Sequence, residues 1–514
     1  MSNASTGVHR PLCPEGKTIE SDSDCQPCAE RSRPYVLAAT ITASAVAFID
    51  GSIVTIALPA MQAGLDASFG AMQWVVNSYA LMLGGLILIG GSLGDHFGRR
   101  KVFIWGLWIF ALASLACAIA PNVSLLIAGR VVKGIGAALL VPQSLAIIAA
   151  SFPKEIRGKA IGIWAGASAI TTALGPPLGG ILIDWFAWRS VFWITIPLAI
   201  FALVLTLTHV PESRDPNRTG DAPLDWFGGL TAILSFGALT LALTLFAENT
   251  NAVSGPVMLL ILGIIGLGVF LVIEKRAQDP LMPLALFANR TFTGANAMTL
   301  FLYGALSGVM FLLPFELIER RELSASQVGL ILLPLGLIIG IFSRFSGKWA
   351  DQQGAKLPLA IGSLLVTAAV LLLATTLENL WLGVVVPVMT LAFGMSLVVA
   401  PLTTAVMNSA PDEQSGAASG VNNAASRLAG LFSIALMGAL SSILFSQSLI
   451  QQGVEEGIRF GQLPGLLDAQ RSLFESAFLS AYQISMVMAA CASGLAALLA
   501  IGFIPGKSKA TVES

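Results

Sequence analysis

An acid in the middle of an apolar run is the first group in this sequence that could do chemistry. Asp50 stands in Ala47-Phe48-Ile49-Asp50-Gly51-Ser52-Ile53-Val54-Thr55-Ile56-Ala57-Leu58-Pro59. Putting a carboxylate into hydrocarbon costs ~2.5–3.5 kcal/mol on insertion scales, so this residue should face protein or a water-filled cavity. Loss of water favours the neutral form of a carboxyl, as a group that binds and releases protons near neutral pH requires. Asp50 reads as a proton- or cation-binding group, and the competing reading is a structural partner for a buried base. Arg130 is such a base, in Ala128-Gly129-Arg130-Val131-Val132-Lys133-Gly134-Ile135-Gly136-Ala137-Ala138. A permanent cation there needs a carboxylate, backbone carbonyls or water, so it either tunes Asp50 or braces the fold. Lys133, one turn on, is expected to snorkel toward the cytoplasmic interface.

A second charged cluster interrupts the apolar background at Gly91-Ser92-Leu93-Gly94-Asp95-His96-Phe97-Gly98-Arg99-Arg100-Lys101. The runs 74–93 and 102–119 flank it. Each is close to the ~20 apolar residues that cross a bilayer, which makes the cluster a tight hairpin between two membrane helices. Glycines let the helix ends approach, and the bases hold the loop on the cytoplasmic side. The spacing returns 256 positions later in Gly347-Lys348-Trp349-Ala350-Asp351-Gln352-Gln353-Gly354-Ala355-Lys356, where Asp351 matches Asp95 and Gly354 matches Gly98. Two copies of G-x-x-x-D-x-x-G-x-[RK] point to an internal repeat, and so to a transporter of two related halves.

The elements that carry these residues must be membrane helices. Of 514 residues, 55% are hydrophobic and 11% charged, with a mean hydropathy of +0.80. A soluble chain carries roughly 25% charged residues, so this is an all-α polytopic membrane protein. Fourteen apolar segments begin near 35, 70, 102, 123, 158, 187, 224, 255, 291, 325, 357, 380, 415 and 476. With both termini cytoplasmic, nineteen of the 28 Lys and Arg fall on the inside and five on the outside, the positive-inside asymmetry. The organisation read from this is a cytoplasmic tail over 1–34, a six-helix bundle over 35–210, and a linker with two additional helices over 211–290. A second six-helix bundle over 291–505 and a short cytoplasmic tail over 506–514 complete it. The first 34 residues are polar and lack the apolar core of a cleavable signal, so none is expected. The stretch 446–475 is expected as an extracellular loop.

Other candidates carry weaker signals. Gly166-Ala167-Ser168-Ala169-Ile170-Thr171-Thr172-Ala173-Leu174-Gly175-Pro176-Pro177-Leu178-Gly179-Gly180 would let a helix pack closely and kink, as ordinary packing or as a rocking interface between halves. In the second half, Glu316, Arg344, Asn422, Asn423 and Arg427 are polar groups that could line a cavity, although Glu316 could equally join the charged cluster Glu319, Arg320, Arg321 and Glu322. Cys25-x-x-Cys28 with Cys13 and His9 is a conceivable zinc set, and an incidental tail is the reading preferred. No metal is expected elsewhere. No nucleophile or phosphate-cradling motif rises above chance, which argues against an enzyme.

Four of these motifs, in order and on the right helices, strongly resemble the major facilitator superfamily, and within it the fourteen-helix drug:proton antiporters. Gly91 to Arg100 matches the loop between helices two and three. Arg130-x-x-Lys133-Gly134-x-Gly136-Ala137-Ala138 resembles the helix-four motif. Gly166-x8-Gly175-Pro176-x-x-Gly179-Gly180 is similar to the helix-five antiporter motif, and Ile49-Asp50-Gly51-Ser52 through Ala57-Leu58-Pro59 to the helix-one motif of this branch. The likeness covers essentially 35–505. It implies two six-helix halves plus two extra helices, and outward pumping of hydrophobic, often cationic compounds in exchange for protons. It suggests Asp50 as the proton-linked acid and Arg130 as part of the coupling. Asp95 with Arg99 and Arg100 would be a latch stabilising the outward-facing state, with Asp351 its weaker echo, and Gly175 and Pro176 would shape a helix whose bending prevents a leak. Three departures stand out. Lys133 replaces the usual glutamine, adding a cation beside Arg130. Ser52 and Thr55 stand where threonine and asparagine are common, and no additional acid lies deep in helix thirteen, which argues against dicationic cargo.

The expectation is therefore a multi-pass exporter of the bacterial inner membrane, working by alternating access as a monomer. Its partners are the lipid bilayer and a small-molecule substrate, not nucleic acid. It needs no cofactor, and the proton is the coupling ion. The runner-up is an exporter of a native metabolite such as an amino acid, peptide, lipid or siderophore.

Overall fold

The computed structural model describes residues 30–214, 225–248, 254–277, 280–411, 414–453, 460–461 and 468–506. Helices dominate it. In chain order they are α1 (Arg33–Gly64), α2 (Phe69–Phe97), α3 (Arg99–Ala118), α4 (Val123–Ser151), α5 (Lys154–Trp185), α6 (Ser190–His209) and α7 (Trp226–Glu248). They continue as α8 (Ser254–Arg276), α9 (Arg290–Arg320), α10 (Ala325–Gln353), α11 (Lys356–Ala374), α12 (Trp381–Asn408), α13 (Ser415–Gln451) and α14 (Asp468–Phe503). Thirteen are long and apolar enough to span a bilayer as they stand. The fourteenth, α2, is bent by 50° near Leu88, between the glycine pairs Gly84-Gly85 and Gly90-Gly91.

Hydropathy placed the apolar cores of these helices but not all their ends. α13 runs on to Gln451 and α14 begins at Asp468, so the loop expected over 446–475 is much shorter. Ser and Gln residues continue a helix in water once its backbone is bonded internally, and an apolar scan cannot see that extension.

The helices α1–α6 form one packed half and α9–α14 the other. The halves meet along two seams, α5 against α10 and α2 against α13. The extra pair α7 and α8 packs on itself, and α7 leans against both α2 and α13, covering the second seam. With no hydrophobic drive between helices in lipid, such seams depend on close backbone approach at small residues.

The α5–α10 seam shows this turn by turn. A Cβ on Gly180 would collide with the carbonyl of Ala325, one on Gly329 with that of Pro176, and one on Gly336 with Ala173. A Cβ on Gly340 would rest 3.6 Å from Ala169, an ordinary contact, and there the contact ends: one on Gly166, Gly162 or Gly158 would have nothing within 4 Å. At the outer end, the Asp184 carboxylate accepts hydrogen bonds from the backbone N–H groups of Ala325 (3.2 Å) and Ser326 (2.9 Å). This places negative charge on the positive end of the α10 dipole. Beside it, the Phe69 ring meets Phe311, Phe315 and Phe460 at 5.4, 5.2 and 4.4 Å between centroids. Gln62 donates to the Phe460 carbonyl at 2.9 Å. The halves are thus sealed on the outer side and apart at the ends of α5 and α10 that the charge rule makes cytoplasmic, an inward-facing arrangement.

Gly336→Val is expected to overpack this seam, at a cost of ~1–3 kcal/mol to the sealed form. Labelling of a Ser326→Cys reporter by an external, membrane-impermeant maleimide should then rise several-fold, and unchanged labelling would show that the seam does not set the outer closure.

Candidate functional site: a buried acid held by two bases

Asp50 has no exposed surface. It sits midway along α1, among buried residues on either side of it. Arg130 and Lys133 are three apart on α4 and so share one face of it. Each takes one carboxylate oxygen: Arg130 Nη1 donates to Oδ2, and Lys133 Nζ to Oδ1 at 2.5 Å. Arg130 is 1% exposed and Lys133 wholly buried. Arg130 also donates from Nε to the Val75 carbonyl on α2 (2.9 Å), and its guanidinium lies 4.3 Å from the Tyr79 ring centre. Tyr79 in turn donates from its hydroxyl to the Ala47 carbonyl at 3.1 Å. Lys133 stands over the rings of Phe110 and Phe192 at 4.7 and 4.9 Å, with the Thr195 hydroxyl 3.5 Å away.

The expectation that Lys133 snorkels to the cytoplasmic interface is therefore corrected. α4 runs from the outer to the inner side, and eighteen residues separate Lys133 from its cytoplasmic end at Ser151. At the helical rise that is roughly 27 Å, beyond any lysine's reach. Its ammonium turns instead to the one carboxylate nearby. One acid thus faces two bases, and the cluster keeps a surplus positive charge. Open space adjoins it, for Gly51 is exposed and no atom lies within 4 Å of its Cβ position.

In this inward-facing form the hairpin between α2 and α3 bonds within the first half. Asp95 accepts from Arg99 Nε (3.0 Å) and Nη2 (2.8 Å), bonds that stay within the α2–α3 corner. Arg100 does not join them. It donates to the carbonyls of Thr206 (3.3 Å) and Leu207 (2.7 Å), while the backbone N–H groups of Arg100 and Lys101 donate to the Glu212 carboxylate (3.0 and 3.2 Å). Gly98 takes φ +109° and Gly354 φ +88°, left-handed turns that favour glycine. Gly91 meets Pro142, and Gly94 meets Gln143, whose amide donates to the carbonyls of Gly90 and Gly91. Asp351 is exposed and makes no ion pair or side-chain hydrogen bond among the described residues.

The glycines of helix five join three elements. Gly175 lies under Ser52 and Gly179 under Ile53, both on α1, while Gly180 and Pro176 meet α10. Gly166 faces open space. The second-half polar residues divide. Glu316 is buried at the outer end of α9, bonded to Arg320 (2.7 Å) and Arg321 (3.0 Å), not turned to a cavity. Asn422 donates to Thr299 (2.7 Å) and Asn296 (3.2 Å), holding α13 to α9. Asn423 is exposed and bonded to its own turn at Ser419. Arg344 is exposed against the Phe345 ring, and Arg427 packs on Gly84 across the second seam. His9, Cys13, Cys25 and Cys28 lie outside the described residues. Among those described, no group of three or more His, Cys, Asp or Glu could hold a metal ion.

Tyr79, Glu212 and Asp184 are participants that sequence reasoning passed over. Glu212 and Asp184 each had a visible signal, an acid at the end of an apolar run. Tyr79 had none, because an aromatic residue in a membrane helix is ordinary.

Asp50→Asn strands two buried bases, and losing one partner of such a set costs ~3–5 kcal/mol. Adding Lys133→Met removes one stranded charge and should recover much of that loss, by the logic of a double-mutant cycle. Thermal unfolding of purified protein in detergent measures both. An Asp50→Asn variant that melts with the wild type would show that the clamp carries no stability.

Comparison with known proteins places the chain in a family. The Major Facilitator Superfamily profile matches residues 40–434. The multidrug resistance protein Stp of Mycobacterium tuberculosis is 31% identical over 420 residues, covering 82% of this chain and 78% of that protein. The puromycin resistance protein pur8 of Streptomyces alboniger is 35% identical over 421 residues, 80% of this chain and 82% of that one. Among solved structures, a bacterial homologue of the human lysosomal transporter Spinster, in an inward-facing and unoccupied conformation, superposes with a TM-score of 0.66. It is 16% identical and covers 93% of this chain and 100% of that one, a likeness of fold. The match of profile, relatives and fold identifies this multi-pass membrane chain as a member of the major facilitator superfamily.

Proposed function

We propose that this protein exports small, largely apolar toxic compounds, drugs among them, across the bacterial cytoplasmic membrane in exchange for protons. The observation that carries this reading is one carboxylate at mid-membrane depth, held between two bases and next to open space. The names of the relatives, multidrug resistance and puromycin resistance, support the direction and the cargo.

Asp50 carries the proton. When it is ionised, it holds α1 to α4 through Arg130 and Lys133. A proton arriving on it cancels the attraction and leaves two cations facing each other without a counter-charge. Disrupting a buried set of this kind is worth ~3–5 kcal/mol. That is close to the ~5.5 kcal/mol needed to swing a two-state equilibrium from 1:99 to 99:1. Movement of α1 has a direct route to the seam between halves, because Ser52 and Ile53 of α1 bear on Gly175 and Gly179 of α5. α5 in turn bears on α10 through Gly329 and Gly336. Exchange requires the proton to be taken up while the outer seam is open and given up while it is sealed, so protonation is tied to closure of that seam and cargo loading of the ionised form to its opening. Both termini are cytoplasmic, and the chain works as a monomer, since one chain supplies both halves and both seams.

Proteoliposomes loaded with a trapped pH-sensitive dye test this whatever the cargo. Adding compounds from a panel of neutral, cationic and acidic drugs should drive lumenal pH changes with the wild type for some of them, and Asp50→Asn should reduce these to background. Equal proton movement by the variant would remove Asp50 from the coupling. No proton movement with any compound would contradict drug:proton exchange.

A further inference from the structure

One strongly basic residue has no part in the exchange described so far. Arg427 lies twelve residues into α13 from Ser415, roughly 18 Å from that cytoplasmic end at the helical rise. Its neighbours come from both halves. A Cβ on Gly84 of α2 would stand 3.1 Å from Arg427 Cβ, and the ionisable groups that act on its charge are Tyr79 of α2 and Tyr303 of α9. Neither is an acid. Among the described residues, the Arg427 guanidinium makes no ion pair and no hydrogen bond. A guanidinium at this depth demands a counter-charge, carbonyls or water.

No acid is available to supply that charge. Asp50 is already claimed by two bases. Among the described residues no carboxylate pairs with Arg427: Asp184 bonds the N-terminus of α10, Glu274 the backbone of Met282, and Glu316 both Arg320 and Arg321, while Asp351, which has no partner, lies at the last turn of α10. The interior therefore has one acid against three bases. Arg344, one turn below the last α5–α10 contact on the face of α10 that carries Gly336 and Gly340, is a fourth base without a carboxylate.

We propose that cargo is held in this interior by an acidic group of its own, a carboxylate or comparable organic anion, paired with Arg427. The inference rests on the exporter reading above and narrows its cargo to amphipathic organic acids. A planar guanidinium offers a carboxylate two parallel hydrogen bonds, and the surplus positive charge disfavours cationic compounds. Tyr79 neighbours both sites: Arg130 stacks on its ring, and Arg427 is among the charges that act on it. With one proton entering for each monovalent anion leaving, two charges cross in the same sense, and an inside-negative potential alone drives the exchange.

Three matched probes test the proposal in proteoliposomes: 2-naphthylacetate, its primary amide, and the corresponding trimethylammonium. Proton-coupled transport and direct binding are both measured. In the wild type, the acid should bind at least tenfold more tightly than the amide, the cation should bind least, and transport of the acid should respond to potential. Arg427→Gln should erase the preference for the acid, and Arg427→Lys should retain most of it; retention by Lys also shows that the site is folded. If the wild type prefers the amide or the cation, or if Arg427→Gln keeps the acid preference, the assignment is overturned. Transport of the cation alone against its gradient would leave the exporter reading standing and sink only this inference. Failure of all three probes, together with failure of the wider drug panel, would overturn both.

Discussion

Asp50 is held between Arg130 and Lys133 with no surface open to solvent, and three charges so placed cannot be rearranged one at a time. In hydrocarbon, each charge is tolerable only while its partners stay put, since removing any one leaves an unscreened ion. The position of α4 against α1 follows from this. So does the stacking of Arg130 on Tyr79 and of Lys133 on Phe110 and Phe192, because aromatic faces are the remaining favourable surroundings for a cation away from water. A proton is the smallest species that can undo the arrangement, and it does so without entering the space that a cargo would use.

What makes this local event matter at a distance is the absence of side chains where the helices cross. Gly175 and Gly179 let α1 rest on α5 at backbone range, and Gly329 and Gly336 do the same for α10. Packed cores of this kind are bistable more than they are elastic, so a small displacement of α1 either leaves the seam sealed or opens it. The contacts end at Gly340, halfway down, which gives the two halves a pivot toward the outer side. At the cytoplasmic corner, Glu212 receives the backbone of Arg100 and Lys101, tying the end of α6 to the start of α3 and keeping the first half together as it moves.

The fold was legible because its signals were long and redundant. Fourteen apolar runs, the basic asymmetry between sides, and the repeat of Asp95 and Gly98 as Asp351 and Gly354 all pointed one way. Asp50 and Arg130 were legible as well, since charge in hydrocarbon is costly enough to require a reason. The depth of Lys133 does not follow from its one-turn spacing to Arg130; it depends on the direction and length of α4. An acid and two adjacent bases look interchangeable in a string, whereas in the inward-facing form the turn at Gly98 directs Arg99 to Asp95 and Arg100 to α6. Glu316 and Asn422 were polar groups whose partners lie on their own turn or the next helix, a distinction that needs three dimensions. The single asparagine step from 422 to 423 moves a side chain from a helix contact to open space.

The central claim is that the charge state of Asp50 sets whether the outer seam is sealed. Spin labels at Trp185→Cys on α5 and Leu330→Cys on α10, both exposed positions, report the separation of those ends by pulsed electron resonance. Between alkaline and acidic pH, the wild type should shift from a long to a short distance, and an Asp50→Asn background should hold one distribution throughout. An Asp50→Asn protein whose distances follow pH as the wild type does would place the switch on another group and contradict the account.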